Sequence, residues 1–242
     1  MSCATDANGQ VTKENTQAVK EVSMTMATDF HVHSLPRIGD KAPDFKAPTT
    51  HGELTFSEWQ GSDWVVLFSH PADFTPVCST ELTEFGKRDE EFKKRSTKLI
   101  GISIDSVHSH LAWTQNLAKI LGVKLPFPLI ADLSTQVAQK YGMIHPGESA
   151  TVTVRALFVI DPKHVIRGII YYPLNVGRNV DEVVRLLDAL QTADKNGVAC
   201  PVNWKPGEKV IIPPPKTEAE VEERLKSNYE KLDFYLAKKS LN

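Results

Sequence analysis

Apolar residues alternate along this chain between short dense runs and longer stretches with helical spacing. Trp64-Val65-Val66-Leu67-Phe68 is a compact apolar run of β-branched and aromatic residues, which predicts a strand buried on both faces. Leu99 to Asp105 and Ala156 to Ile160 repeat that pattern. Asp161-Pro162-Lys163-His164 then supplies a turn, and Val165 to Tyr172 completes a predicted hairpin.

Helical spacing fills the intervals. Ser79 to Lys94 sets Leu82, Phe85 and Phe92 on one face, and Val180, Val183, Val184, Leu187 and Leu190 follow the i, i+3, i+4, i+7 template. Ser106 to Leu121 and the shorter Ser134 to Tyr141 are further helices. Strands alternating with helices and closing on a hairpin indicate an α/β domain of three layers around a mixed sheet. Beyond Pro201 the pattern changes. Ile211-Ile212-Pro213-Pro214-Pro215 reads as extended chain and Glu218 to Leu236 as a charged helix, together an arm that packs on the core or on a partner subunit.

Composition narrows the function. The 242 residues suffice for one core domain with an appendage. A net charge of -2 offers no basic footprint for nucleic acid. No apolar run reaches the roughly 18–20 residues that span a bilayer. The three cysteines, Cys3, Cys78 and Cys200, form no C-x-x-C pair and are too scattered for a disulfide framework, so a reducing, cytoplasmic setting is expected. Residues 1–33 are polar, lack an apolar signal core, and carry no arginine before Arg37; they read as a flexible extension. No metal-ligand motif and no cofactor motif stands out.

One stretch carries chemistry: Phe68-Ser69-His70-Pro71-Ala72-Asp73-Phe74-Thr75-Pro76-Val77-Cys78. A buried strand ends, two prolines bracket a tight loop, and a helix begins with Thr75 at the N-cap and Pro76 at the first helical position. Cys78 then falls in the first turn, where unpaired amides and the helix dipole favour an anion. Cysteines in such positions are the ones that react as thiolates. His70 raises a rival, a Cys–His pair for acyl transfer, against the plainer role of lining the pocket. Glu81 is a hydrogen-bond partner or, more simply, an acid favoured in the first turn.

Pro71-x-x-x-Thr75-x-x-Cys78 resembles the signature of the peroxiredoxins, and Ser69-His70-Pro71 with Asp73 to Cys78 resembles the one-cysteine subfamily. Gly39-Asp40-x-Ala42-Pro43-Asp44-Phe45 is similar to the family's opening strand, and Arg155 stands where the family carries its active-site arginine. Gly177-Arg178-Asn179 opens the late helix as in the family, and Val198-Ala199-x-Pro201-x-x-Trp204 resembles the subfamily's C-terminal arm. The resemblance implies a thioredoxin-like domain over 34–200 and a C-terminal peroxiredoxin arm over 201–242. It implies a thiol peroxidase acting on hydrogen peroxide and organic hydroperoxides through a sulfenic acid. Cys78, Thr75, Arg155 and Pro71 would be catalytic and His70, Arg178 and Glu81 supporting. Cys200 is a candidate resolving cysteine. It further implies no bound cofactor, an external reductant such as glutathione or thioredoxin, and a homodimer or larger homo-oligomer paired through the 165–172 strand. An oligomeric holdase chaperone on the same fold is the alternative from another class. The phospholipase that some mammalian members add through a Ser/His/Asp set is not expected, because its positions fall near Ser57, Asp63 and Lys163 and the histidine and serine are missing there.

Overall fold

A computed structural model describes residues 35–241. The chain runs β1 (Lys46–Thr49), β2 (Gly52–Thr55), α1 (Phe56–Gln60), β3 (Trp64–Ser69), α2 (Pro76–Lys87), α3 (Asp89–Lys93), β4 (Thr97–Ser103), α4 (Val107–Leu121), β5 (Leu129–Ala131), α5 (Gln136–Lys140), β6 (Arg155–Ile160), β7 (Ile166–Tyr172) and α6 (Val180–Asn196). An arm follows: β8 (Val210–Ile211), α7 (Glu218–Lys226), β9 (Glu230–Asp233) and β10 (Leu236–Lys239). The main sheet has the order β2-β1-β5-β4-β3-β6-β7. β3, β4 and β5 are parallel, while β6 runs antiparallel to both β3 and β7, so the sheet is mixed as expected.

Alternation along the central strands explains the layers. Val66 and Phe68 of β3, with Leu157 and Val159 of β6, face a core shared with Leu82, Phe85, Trp113, Leu117, Val183 and Leu187 from α2, α4 and α6. Val65, Leu67, Ala156, Phe158 and Ile160 face the other core, closed by Phe56 of α1 and Val137 and Ala138 of α5. Both faces are covered, which is why these strands read as continuous apolar runs.

Several elements depart from the sequence expectation. The 79–94 helix is two helices broken at Arg88, whose guanidinium bonds Glu91 and reaches Asp181 at the start of α6. Gly86 marks the same place, since a Cβ there would sit 2.9 Å from Leu125. The 39–45 segment is no strand. Among the described residues it makes one isolated bridge, Lys41 to Val165, with backbone bonds to His164 and Ile166 alongside the entry to β7. The β1–β2 hairpin was not anticipated, and short β5 reads too weakly to predict. The 218–236 helix stops at Lys226 because α7 buries no residue and has no face to extend. The chain instead returns as β9 and β10, which pairs with β8 and buries Ala237. This arm sits on its own small core of Val198, Trp204 and Val210, packed against Ala189 of α6. The 1–33 extension and Cys3 lie outside the described residues.

Phe68 couples the fold to the region around Cys78, because its fully buried ring stacks on Phe85 with centroids 4.3 Å apart. Phe68→Ala is expected to cost about 3–5 kcal/mol of stability, read as a lowered urea midpoint with little change in slope.

Candidate active site

α2 begins as the local sequence dictates. Thr75 has extended N-cap geometry and Pro76 takes the first helical position, which puts Cys78 in the first turn, fully buried. The Thr75 hydroxyl makes no cap bond to the helix amides. It donates instead to the Ala72 carbonyl at 2.9 Å, leaving its lone pairs as acceptors and the first-turn amides unclaimed by the cap. Pro71 is buried in the loop behind it.

The opposite wall comes from β6 and the segment before α6. Arg155 Nη1 lies 3.3 Å from Cys78 Sγ and donates to Glu81 Oε2 at 2.8 Å. Its Nε and Nη2 both donate to the Leu174 carbonyl, at 3.0 and 2.6 Å. Four of the guanidinium protons are thereby placed, and one on Nη2 has no partner among the described residues. Arg178 wraps Glu81 from the other side. Its amide and Nε donate to Oε1 at 2.7 and 2.9 Å, its Nη2 donates to Oε2 at 2.8 Å, and its Nη1 holds the Ala156 carbonyl. The Arg178 guanidinium lies over the Phe68 and Phe85 rings at 5.2 and 5.7 Å.

Glu81 is therefore not a first-turn acid. The helix starts at Pro76, so Glu81 falls in the second turn, three residues after Cys78 and on its face, and it is 3% exposed. Burial works to raise its pKa, but the charge and hydrogen bonds of Arg178, then the charge of Arg155, hold the carboxyl below its ordinary 4.5. One carboxylate faces two guanidiniums, and the sulfur is the group that meets the surplus positive charge.

Among the described residues His70 makes its side-chain hydrogen bond to Asp73 and none to the sulfur. Its Nε2 lies 2.9 Å from Asp73 Oδ1, and its Nδ1 is buried without a partner among the described residues. Burial pushes the ring's pKa down, against Asp73, so it is a neutral donor to that carboxylate. The acyl-transfer pairing finds no support in this geometry. Asp73 also receives His110 Nδ1 at 2.8 Å and the Ser109 hydroxyl at 2.8 Å. Sequence reading missed this cluster. The available signal was His110 itself, a polar residue on the apolar face of α4 with Trp113 and Leu117.

Cys200 is not placed to resolve Cys78 within the chain. Its sulfur is half-buried in the arm's core, 3.5 Å from the Ala189 carbonyl, and burial raises its pKa. Ala189 lies roughly 15 Å along α6 from the end that adjoins Glu81, whereas a disulfide needs Cα atoms within about 7 Å. Both described cysteines are free. At the positions where the phospholipase set would fall, Ser57 donates to Asp44 at 2.7 Å and Asp63 pairs with Lys98.

The AhpC/TSA family matches residues 38–169, and the C-terminal domain of 1-Cys peroxiredoxin matches 189–228, beginning inside α6. A peroxiredoxin of Aquifex aeolicus is 54% identical over 222 residues, covering 88% of this chain and all of that protein. Peroxiredoxin 2 of Caldanaerobacter subterraneus is 52% identical, covering 86% of this chain and 94% of the relative. Among solved structures, a yeast mitochondrial 1-Cys peroxiredoxin, studied for thiol resolution through glutathione and thioredoxin systems, superposes with a TM-score of 0.78. It is 44% identical, over 86% of this chain and 100% of that one. A cysteine-to-serine mutant of Peroxiredoxin 6 from Arenicola marina gives 0.77 at 36% identity, over 85% of this chain and 98% of that one.

Glu81→Gln leaves two buried guanidiniums facing an amide and should cost about 3–5 kcal/mol at neutral pH. Because the folded carboxyl is held low, that stabilisation is complete above about 4.5 and fades as pH falls through the folded value. Denaturant melts of both proteins from pH 7 to pH 3 check this: the gap between them should narrow on acidification.

Proposed function

The chain belongs to the peroxiredoxins of the AhpC/TSA family, in the one-cysteine branch, and is a thiol-dependent peroxidase; from that premise we propose that Cys78 is the sulfur peroxide oxidises and that Arg155, Thr75 and Pro71 complete its site. The observation that carries this is the 3.3 Å contact between Arg155 Nη1 and Cys78 Sγ at the start of a helix.

The thiolate of Cys78 attacks one peroxide oxygen. The S–O bond forms as the O–O bond breaks, and the departing alkoxide or hydroxide takes a proton to leave as alcohol or water. Thr75, whose own proton is engaged by Ala72, accepts from the peroxide hydroxyl. Arg155 holds the sulfur through one donor and offers its unplaced Nη2 proton to the developing oxyanion. Pro71 has no N–H to compete at that wall. Glu81 and Arg178 hold Arg155 in position. The sulfenic acid is then reduced from outside: one thiol displaces water to form a mixed disulfide, and a second releases Cys78 as a thiol. Glutathione or thioredoxin fits that step, and no bound cofactor is required. Cys78 and Cys200 are free among the described residues, and on that basis we place the protein in a reducing compartment such as the cytoplasm. β7 forms one edge of the sheet, and antiparallel pairing of two such edges would make a homodimer.

Intact-mass analysis after one equivalent of hydrogen peroxide with a dimedone trap tests the assignment. A dimedone adduct on Cys78 is expected in the wild type and in Cys200→Ser and is lost in Cys78→Ser; no adduct in the wild type would discard Cys78 as the oxidised group. Arg155→Met should slow peroxide reduction by about 10²–10³-fold, measured by stopped flow. Sedimentation equilibrium should return twice the 26.9 kDa chain mass; the monomer mass would remove the edge-paired dimer.

A further inference from the structure

We propose that Asp73 and His110 are positioning residues of the peroxidase: a buried carboxylate–imidazole pair that locks the loop presenting Pro71 and Thr75 to the sulfur. The inference rests on the assignment of Cys78 above.

Asp73 is tied at both ends of its own residue. Its carboxylate receives His110 Nδ1 at 2.8 Å, the Ser109 hydroxyl at 2.8 Å and His70 Nε2 at 2.9 Å. Its amide donates to Asp105 Oδ2 at 3.0 Å, and Asp105 is fixed in turn by the Ser103 hydroxyl at 2.6 Å. His110 passes the tether on, because its Nε2 lies 3.1 Å from the Ile130 carbonyl of β5. A carbonyl can only accept, so Nε2 donates there, and Nδ1 donates to the carboxylate. Both ring nitrogens are thereby engaged, each facing an oxygen acceptor. Burial would raise the Asp73 carboxyl, yet the bonds from His110 and His70 hold it far below the usual carboxylate range.

The loop needs this anchor. Phe74, the next residue, sits at φ 56, a left-handed conformation that a bulky side chain avoids and that persists only where its surroundings impose it. Phe74 is 58% exposed and its ring centroid lies 6.2 Å from that of Trp113, so its own packing does not impose the turn. Asp73 does, and Thr75 follows with its hydroxyl on Ala72.

Two imidazoles and a carboxylate within 4.8 Å also form a ligand set for a divalent metal. Nitrogen–oxygen separations of 2.8–2.9 Å are those of shared protons, and the cluster is sealed from solvent. The geometry favours protons over an ion.

The test compares the rate of Cys78 oxidation by hydrogen peroxide with the rate of its alkylation by iodoacetamide, at one pH, in the full chain. Asp73→Asn and His110→Leu should lose about 100-fold against peroxide, the cost of misplacing a reacting geometry by about an ångström, with alkylation unchanged. His110→Asn, whose amide nitrogen can reach the Nδ1 position, should recover most of that loss. Wild-type peroxide rates in Asp73→Asn would overturn the proposal. So would parallel changes in both reactions with no recovery in His110→Asn, the mark of a merely structural role. Nitrogen NMR of the wild type needs no variant to fold: two protonated ring nitrogens on His110 are expected, and one overturns the pairing. A stoichiometric metal in the purified wild type would also overturn it. A wild type in which Cys78 takes no dimedone fails the preceding reading rather than this one alone.

Discussion

Glu81 is the group on which the site depends. Two guanidiniums cannot be buried beside one another and beside a core of phenylalanines without an anion between them, and Glu81 is that anion. It also joins three pieces of chain that local structure would leave apart: α2, which carries the sulfur; β6, which carries Arg155; and the segment entering α6, which carries Arg178. The packing of Phe68 against Phe85 forms the floor under that junction, so the sheet, the helix and the charge cluster are one construction. The thiolate is the second anion the cluster can accommodate.

The two walls of the site are made by different physics. The arginine wall is electrostatic, and its donors converge on sulfur and carboxylate. The loop wall is conformational: a backbone turn that its own residues do not prefer, held by buried hydrogen bonds to α4, β4 and β5. Charge and shape are thus supplied by separate sets of residues. Pro71 and Thr75 belong to the shape, Arg155 to the charge, and Cys78 stands where they meet.

How much of this was legible in the sequence follows from where each signal is stored. The central strands were visible because burial on both faces leaves them wholly apolar, and the Cys78 helix start was visible because Thr75 and Pro76 are adjacent in the chain. Arg155 and Arg178 came through family resemblance alone, since nothing in periodicity brings residues so distant in sequence to the same sulfur. Glu81 was misread because a start at Pro76 puts it in the second turn, on the face of Cys78, where its partners are arginines from elements far along the chain. His110 went unnoticed because a histidine on an apolar helix face declares itself only through a partner on another element. The arm failed differently: α7 has charge but no buried face, and a strand as short as β8 has no period to read.

The spacing of these partners along the chain has a consequence for synthesis on the ribosome. Arg155 is made 77 residues after Cys78, and Arg178 comes 97 residues after Glu81. At about 5–20 residues per second, roughly 5–20 seconds separate the emergence of the acid from that of its second guanidinium. During that interval the sulfur is an ordinary accessible thiol, with neither the arginines nor the closed core around it. The nascent protein therefore passes through a stage in which it is a target of oxidants before it becomes a scavenger of them.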